Sequence, residues 1–279
     1  MAEKIGIVGW HQTRHELTKQ EPREDMIYHL VQELMQKTGV KRDEIGTVIL
    51  CANDYYDGRT ISEVFAVVPA GAYLKQESKV ESDGAYSAYY ALMRLLTGHY
   101  DTALVVGWSK GSEFDPWLAL SYCLDPTYDR QFRFLHDAST AALQARAYMN
   151  AYNLTEEDLA LVSVKNLKNA SKNPLSARAK SDLTVKEVLA SDLYSSPLRD
   201  LMCYPFTDGA CAMLLANSEK AKKLTDKPVW ILGVGSCQEE AYLGLRDLSS
   251  ISSLKKAAKD AYKMAGIKKP KDEIGVFEV

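Results

Sequence analysis

The stretch from residue 78 to 109 limits the possible folds more than any other part of the chain. A short strand at 79–82 meets Asp83-Gly84. From there Ala85, Ala88, Tyr89, Leu92, Met93 and Leu96 recur at helical spacing, with Arg94 the charge in their midst. Such a helix is expected to be buried on nearly all sides. Gly98 is placed to stop it, and residues 103–107 (ALVVG) form an apolar run short enough for a strand covered on both faces. A tight turn at the carboxyl end of a strand, opening a buried helix, is where open α/β sheets place their chemistry, because backbone N–H groups and the positive helix end converge there. Gly84 occupies that turn.

The segments around this centre read as alternating strands and helices. Residues 5–10 form an apolar strand, and Ile27, Leu30, Val31 and Leu34 lie at i, i+3, i+4 and i+7 of a helix that stops at Gly39. Asp43-Glu44-Ile45-Gly46 leads into a β-branched strand at 47–52. This is a βαβ pattern and predicts a parallel sheet. Residues 53–62 are a turn-rich loop, and 63–72 are expected to be helical.

The opening then recurs. Residues 230–235 read as a strand, Leu254, Ala257, Ala258, Ala261 and Tyr262 as one helix face, Gly266 as its stop, and DEIG at 272–275 as the entry to a strand at 276–279. Gly9 matches Gly235, Gly39 matches Gly266, and DEIG at 43–46 matches the second DEIG, at an offset of about 226–229 residues. An internal duplication is the reading. On that reading about 100 residues of the second half lie outside this sequence, supplied by another chain or removed from this one.

Between the halves, residues 114–200 leave the pattern. They begin rich in aromatics and proline, continue through a helix at 139–152, and carry a capping box at Leu154-Thr155-Glu156-Glu157. The run 164–180 then has five basic and no acidic residues. The sheet resumes through Thr207-Asp208-Gly209 and an apolar strand at 210–216, and Asp208 is expected to fix its own turn by side-chain to backbone bonds.

A net charge of −3 from 34 basic and 37 acidic residues gives no reason to expect nucleic acid or an anionic membrane as the main partner. No apolar run approaches the ~18 residues of a membrane span, and the first ten residues have no charged-then-apolar leader, so a cytoplasmic protein is expected. The five cysteines are scattered, without CxxC or zinc spacing, and read as reduced core thiols.

Four stretches resemble the thiolase superfamily: VESDGAYSA at 80–88, in the place of a VEACASG-type nucleophile turn; KNLKNASKNPLSA at 165–177, similar to KNHxNAxxNPxA; LMCYPFTDGACAML at 201–214, similar to CPxSDGAAA; and residues 272–279, which begin the strand that in the family ends in HDAF or NEAF. The resemblance implies an α/β fold of two βαβαβαββ halves with an inserted loop domain, the second half incomplete. The boundaries it implies are 1–114 with 201–224 for the first half, 115–200 for the loop domain, and 225–279 for the start of the second half. It also implies a coenzyme A thioester as substrate with no resident cofactor, and a homodimer or higher oligomer formed through the strand at 79–82.

In the family the turn residue is a cysteine whose thiolate accepts the acyl group. The matching position here is Gly84, so no acyl-enzyme can form there. The family's histidines of HDAF and GHP and its cysteine of CxG lie beyond Val279. Asp83, Gly84 and Tyr86 are the candidate catalytic residues: Asp83 as base or helix cap, Gly84 as an oxyanion-binding or merely packing turn, Tyr86 as donor or core aromatic. Lys165, Asn166, Lys168, Asn169 and Asn173 are the candidate coenzyme A contacts, although a solvated helix face would carry the same charges.

Two functions remain open. One is carbon–carbon bond formation or cleavage on acyl-CoA thioesters, of acyltransferase or retro-aldolase type, with a partner chain; thiolase-fold aldolases, which also lack the cysteine, imply a small zinc- and OB-fold accessory subunit. The other is a non-catalytic subunit of a heteromeric acyl-CoA acyltransferase.

Overall fold

The first strand, β1 (Ile5–Gln12), leads through a polar loop to α1 (Arg23–Thr38) in a computed structural model that describes residues 4–57, 60–81, 83–132 and 136–278. Ser82 and Val279, the last residues of two strands expected from the sequence, lie outside the described residues. Met26, Ile27, Leu30, Val31 and Leu34 share one side of α1 and are all buried, each contributing roughly 1.5–3 kcal/mol to docking it on the sheet. Gly39 ends α1 at φ 70°, a left-handed conformation that a residue without Cβ adopts at no steric cost.

Next come β2 (Thr47–Ala52), the single turn α2 (Asp54–Asp57), β3 (Gln76–Glu81), α3 (Gly84–Leu96) and β4 (Thr102–Lys110). The excursion contains α4 (Pro116–Tyr122), α5 (Asp137–Tyr152), α6 (Glu156–Ala170), α7 (Val185–Ala190) and a hairpin of β5 (Leu193–Ser195) and β6 (Leu198–Arg199). The return is made by β7 (Asp208–Asn217), α8 (Ser218–Leu224) and β8 (Val229–Trp230), and α9 (Ser252–Ala265) and α10 (Pro270–Glu273) follow. The capping box ahead of α6 is present: the Thr155 N–H donates to Asp158 at 2.8 Å.

The sheet order is β3-β2-β4-β7-β1-β8. β2 pairs in parallel with both β3 and β4, as the βαβ reading expects. The expectation of a wholly parallel sheet is corrected by β7, which runs antiparallel between β4 and β1 and separates β1 from β2. The sheet is therefore mixed. Its strands are apolar on both sides because both sides are covered. Val48, Leu50, Leu104, Val106 and Leu214 face α1, while Ile49, Ala103, Val105 and Leu215 face Ala91, Leu92 and Leu95 of α3. In the excursion a separate small cluster forms around Ala160, Leu183 and Val188.

Three local expectations are corrected. Residues 63–72 form a short 3₁₀ turn (Ser62–Phe65) and further turns instead of a helix, because the chain must pass through left-handed positions at Ile61, Gly71 and Leu74 while keeping Ala66, Ala70 and Ala72 buried. The strand expected at 230–235 is paired with β1 at Val229–Trp230 and through the Ile231 N–H, which donates to the Ile5 carbonyl at 3.0 Å; residues 232–235 have no ladder partner among the described residues. The same holds for 276–278. The central helix is not buried all round, since Tyr86, Met93 and Leu96 remain between 41% and 45% exposed.

The duplicated opening recurs in three dimensions. Gly266 ends α9 at φ 74° as Gly39 ends α1, and a short helical turn follows each, at Arg42–Glu44 and at α10. Gly9 lies against Thr38 of α1, and Gly233 and Gly235 lie against the backbone of α9. Among the described residues, no helix is long and apolar enough to cross a membrane.

Candidate active site

The turn between β3 and α3 is built as the sequence predicts. Asp83 is the N-cap of α3, and its carboxylate accepts the Tyr86 N–H at 3.0 Å, while its carbonyl accepts the Ser87 N–H at 3.2 Å. The N–H groups of Gly84 and Ala85 are left without a partner inside the helix and sit at its positive end. Gly84 opens α3, and a Cβ built there meets nothing within 4 Å. Neither its backbone conformation nor its surroundings demand glycine, so a side chain fits at that position.

Asp83 and Tyr86 line one groove of about 510 Å3 between α3, residues 231–237 and α9. Ser236 donates to the Tyr86 hydroxyl at 3.4 Å, and the free thiol of Cys237 borders the same groove. Sequence reasoning did not single out Ser236 or Cys237. The match of Gly235 to Gly9 was the available signal, because it places them just past a strand end. Glu239 fastens this segment, accepting from the N–H groups of Ser252 and Ser253 at the start of α9 and from Arg246 at 3.0 Å.

Of the five thiols only Cys51 is in the core; Cys123 and Cys211 are exposed, and Cys203 and Cys237 lie between, which corrects the expectation of core thiols. Cys51 lies on β2 beneath α3. Burial pushes its thiol up, the Ser87 hydroxyl partly opposes this, and the charges of Asp83 and Glu81 add to it. A nucleophile needs the opposite shift.

The second predicted set is divided. Asn166 and Asn173 line a cavity of about 460 Å3 with Gln12, His15, Arg178 and Thr207, whereas Lys165, Lys168 and Asn169 are exposed on α6 and do not border it. Asn173 also closes its own turn by accepting the Leu175 N–H at 3.0 Å. The His15 ring lies 3.3 Å from the Thr207 hydroxyl and over Gly209, where a Cβ would stand 3.0 Å from it. Burial and then the Lys19 charge hold His15 below the ordinary histidine value. An unfolded chain binds that proton more readily, so the contribution of His15 to stability is expected to fall as pH drops through about 6.5. Chemical denaturation of wild type and His15→Gln at pH 7.5 and 5.5 checks this: the gap between them should narrow at the lower pH.

Asp208 is a structural anchor of a different kind from the one expected. It is fully buried and accepts from the Lys19 N–H (2.8 Å), the Ser112 N–H (2.9 Å) and the Ser112 hydroxyl (2.6 Å), with Lys110 Nζ at 3.1 Å. It therefore ties distant segments together and does not fix its own turn.

No family model matches the chain. It is 34% identical over 188 residues to an acetyl-CoA acetyltransferase of Methanothermobacter thermautotrophicus, covering 66% of this chain and 48% of that protein. It is 31% identical over 301 aligned positions to an acetyl-CoA acetyltransferase of Methanocaldococcus jannaschii, covering 99% of this chain and 71% of that protein. The chain belongs to the thiolase superfamily. It thus spans about half the length of one archaeal relative and about seven-tenths of the other. A 17-hydroxy-3-oxo-4-pregnene-20-carboxyl-CoA lyase of Mycobacterium tuberculosis is 33% identical over 119 residues, 41% of this chain and 31% of that protein. Among solved structures, the Ltp2-ChsH2(DUF35) aldolase superposes with TM-score 0.79 at 20% identity, covering 94% of this chain and 70% of that one. A monomeric SCP2-thiolase like protein of Mycobacterium smegmatis gives 0.72 at 18%, covering 98% and 59%. These two likenesses show the thiolase fold.

Proposed function

We propose that this thiolase-superfamily chain acts on acyl-CoA thioesters by carbon–carbon bond chemistry that needs no covalent acyl-enzyme, a retro-aldol cleavage in concert with a partner chain. The observation that carries the reading is the helix mouth at Gly84: N–H donors at the positive end of α3, no side-chain nucleophile at the turn position itself, and Asp83 and Tyr86 on one groove. In a retro-aldol step the hydroxyl proton of a 3-hydroxyacyl-CoA goes to a base while C3 becomes a carbonyl. The C2–C3 bond breaks, its electron pair moves to C2 as the thioester enolate, and C2 then takes up a proton. Asp83 is the base candidate, the Gly84 and Ala85 N–H groups the donors to the enolate oxygen, and Tyr86, held by Ser236, the proton donor. The lyase and aldolase relatives support this chemistry, and the aldolase named with a DUF35 partner supports an accessory subunit. Asn166 and Asn173 are proposed to border the path of coenzyme A.

Purified protein with 3-hydroxyacyl-CoAs, and separately with acetoacetyl-CoA plus CoA, tests the reading. Binding of the thioesters and cleavage of the 3-hydroxyacyl group support it; no binding of either overturns it, and binding without turnover in the presence of the partner favours the non-catalytic subunit. Because Gly84 has open space, Gly84→Cys is expected to gain an acyl adduct on residue 84 after acetyl-CoA treatment, read by peptide mass mapping, where wild type gains none. We also propose a dimer across β3, which ends the sheet with one edge unpaired; a monomer by light scattering removes it.

A further inference from the structure

Glu81 borders two spaces, the cleft beside Tyr86 and Cys237 and a larger cavity of about 840 Å3 on the side of α2 and α4. The larger one has room for a drug-sized body. Its walls are apolar, from Tyr55, Ile61, Phe114, Leu118 and Tyr122. Its floor is charged. Lys79, 10% exposed, forms ion pairs with Asp54, with Glu81 at 2.7 Å and with Glu63 at 3.7 Å, so three carboxylates share one ammonium.

Asp54 and Lys79 keep their charges. Burial pushes the Asp54 carboxyl up, but hydrogen bonds from Lys79 and from the N–H groups of Ser62 and Ile61 outweigh it and hold the group well below the usual carboxylate range. Burial pulls the Lys79 ammonium down, and the bonds to Asp54 and Glu81 more than offset that. Among the described residues Glu63 Oε2 has no hydrogen-bond partner, Lys79 standing 3.7 Å from it, and the Glu63 side chain, 21% exposed, lines the cavity. A second cation would face Lys79 at close range. A neutral hydroxyl takes the spare lone pairs without that repulsion.

We propose that this cavity binds an apolar body carrying a hydroxyl group directed at Glu63, and that this body is the distal end of the acyl chain whose thioester lies at the mouth of α3. The second clause rests on the proposed function; the first does not.

Calorimetric titration of the full 279-residue chain with dodecanoyl-CoA and 12-hydroxydodecanoyl-CoA, and with the two corresponding free acids, tests it. The hydroxylated member of each pair should bind about tenfold tighter, a difference of one hydrogen bond to a charged acceptor. Glu63→Leu should abolish that preference while keeping the affinity for dodecanoyl-CoA. Leu118→Trp, at a position 52% exposed where a larger ring needs no burial, should lose at least tenfold for both dodecanoyl thioesters and leave acetyl-CoA unchanged. Thioesters that bind without discrimination overturn the inference and leave the proposed function standing. A preference among the free acids with no thioester binding supports the cavity and overturns the proposed function. Unchanged dodecanoyl-CoA affinity in Leu118→Trp overturns the placement of the acyl chain.

Discussion

Asp208→Ala is expected to lower the unfolding free energy by about 3–5 kcal/mol, the cost of removing one partner from a buried ion pair. The carboxylate has no exposed surface, and it binds two backbone N–H groups, a hydroxyl and the Lys110 ammonium, which is itself 3% exposed. Without it Lys110 keeps the carbonyls of Lys19 and Glu21 and a 3.5 Å contact with the exposed Glu113, but loses the buried counter-charge for a charge held out of water. The two losses should therefore not add: Lys110→Met is expected to cost less in the Asp208→Ala background than in wild type. The pH dependence follows from the direction of the shift. Burial raises the Asp208 carboxyl, but the bonds from Ser112, Lys19 and Lys110 outweigh it and hold it below the ordinary value. Its contribution is fully present above the unfolded carboxylate value of about 4 and is lost as pH falls through the lower folded value. Urea titrations should show a constant gap between wild type and variant from pH 5 to 8 and a shrinking one below about 4. A gap under about 1 kcal/mol at pH 7 is incompatible with this account.

That anchor illustrates what a single sequence hides. Asp208 sits beside Gly209, and a local turn is the simplest reading of such a pair, yet its partners are nearly a hundred and nearly two hundred residues away, so no spacing rule reaches them. The elements that were legible are those whose signal is local. The alternation of Val48, Leu50 and Leu104 against Ile49, Ala103 and Val105 fixes two-sided strands, and Gly39, Gly98 and Gly266 all take the left-handed backbone that a helix stop needs. Asp83 caps α3 as its position before Gly84 suggests. Pairing was not legible, because pairing is a property of two segments. Residues 232–235 continue a strand-like composition, but composition supplies no neighbour for them, and the insertion of β7 between β4 and β1 follows from the route of the long excursion. The candidate site divides along the same line. The turn residues came from one continuous stretch, whereas Ser236 and Cys237 reach Tyr86 only through the packing of the second repeat on α3.

That packing is the subject of the second large effect. Gly235→Val is expected to undock α9, at a cost of about 3 kcal/mol, the upper end for overpacking a close contact. A Cβ at Gly235 stands 1.9 Å from the Ala257 carbonyl oxygen, and one at Gly233 stands 2.2 Å from that of Ala261. Both obstacles are helix backbone, which cannot rotate away, so the whole of α9 must retreat by more than 1 Å and every close contact along it is weakened. Gly9 is the informative control. It occupies the matching place in the first repeat, but its Cβ meets a Thr38 methyl group at 2.2 Å, a side-chain atom and not helix backbone, so Gly9→Ala should be milder than Gly235→Val. Gly84→Ala, with nothing within 4 Å, should change stability by less than about 0.5 kcal/mol. Hydrogen exchange resolves the three. In Gly235→Val the amides of α9 and of residues 231–237 should lose protection while those of β2 and β4 keep theirs, because the sheet core does not depend on the second repeat. The consequence reaches the helix mouth: with α9 displaced, Ser236 no longer holds the Tyr86 hydroxyl and the groove beside Asp83 loses a wall. Thioester affinity should then fall in Gly235→Val and persist in Gly84→Ala. Full protection of α9 in Gly235→Val would mean that the second repeat does not rest on its glycines, and the groove would need another explanation.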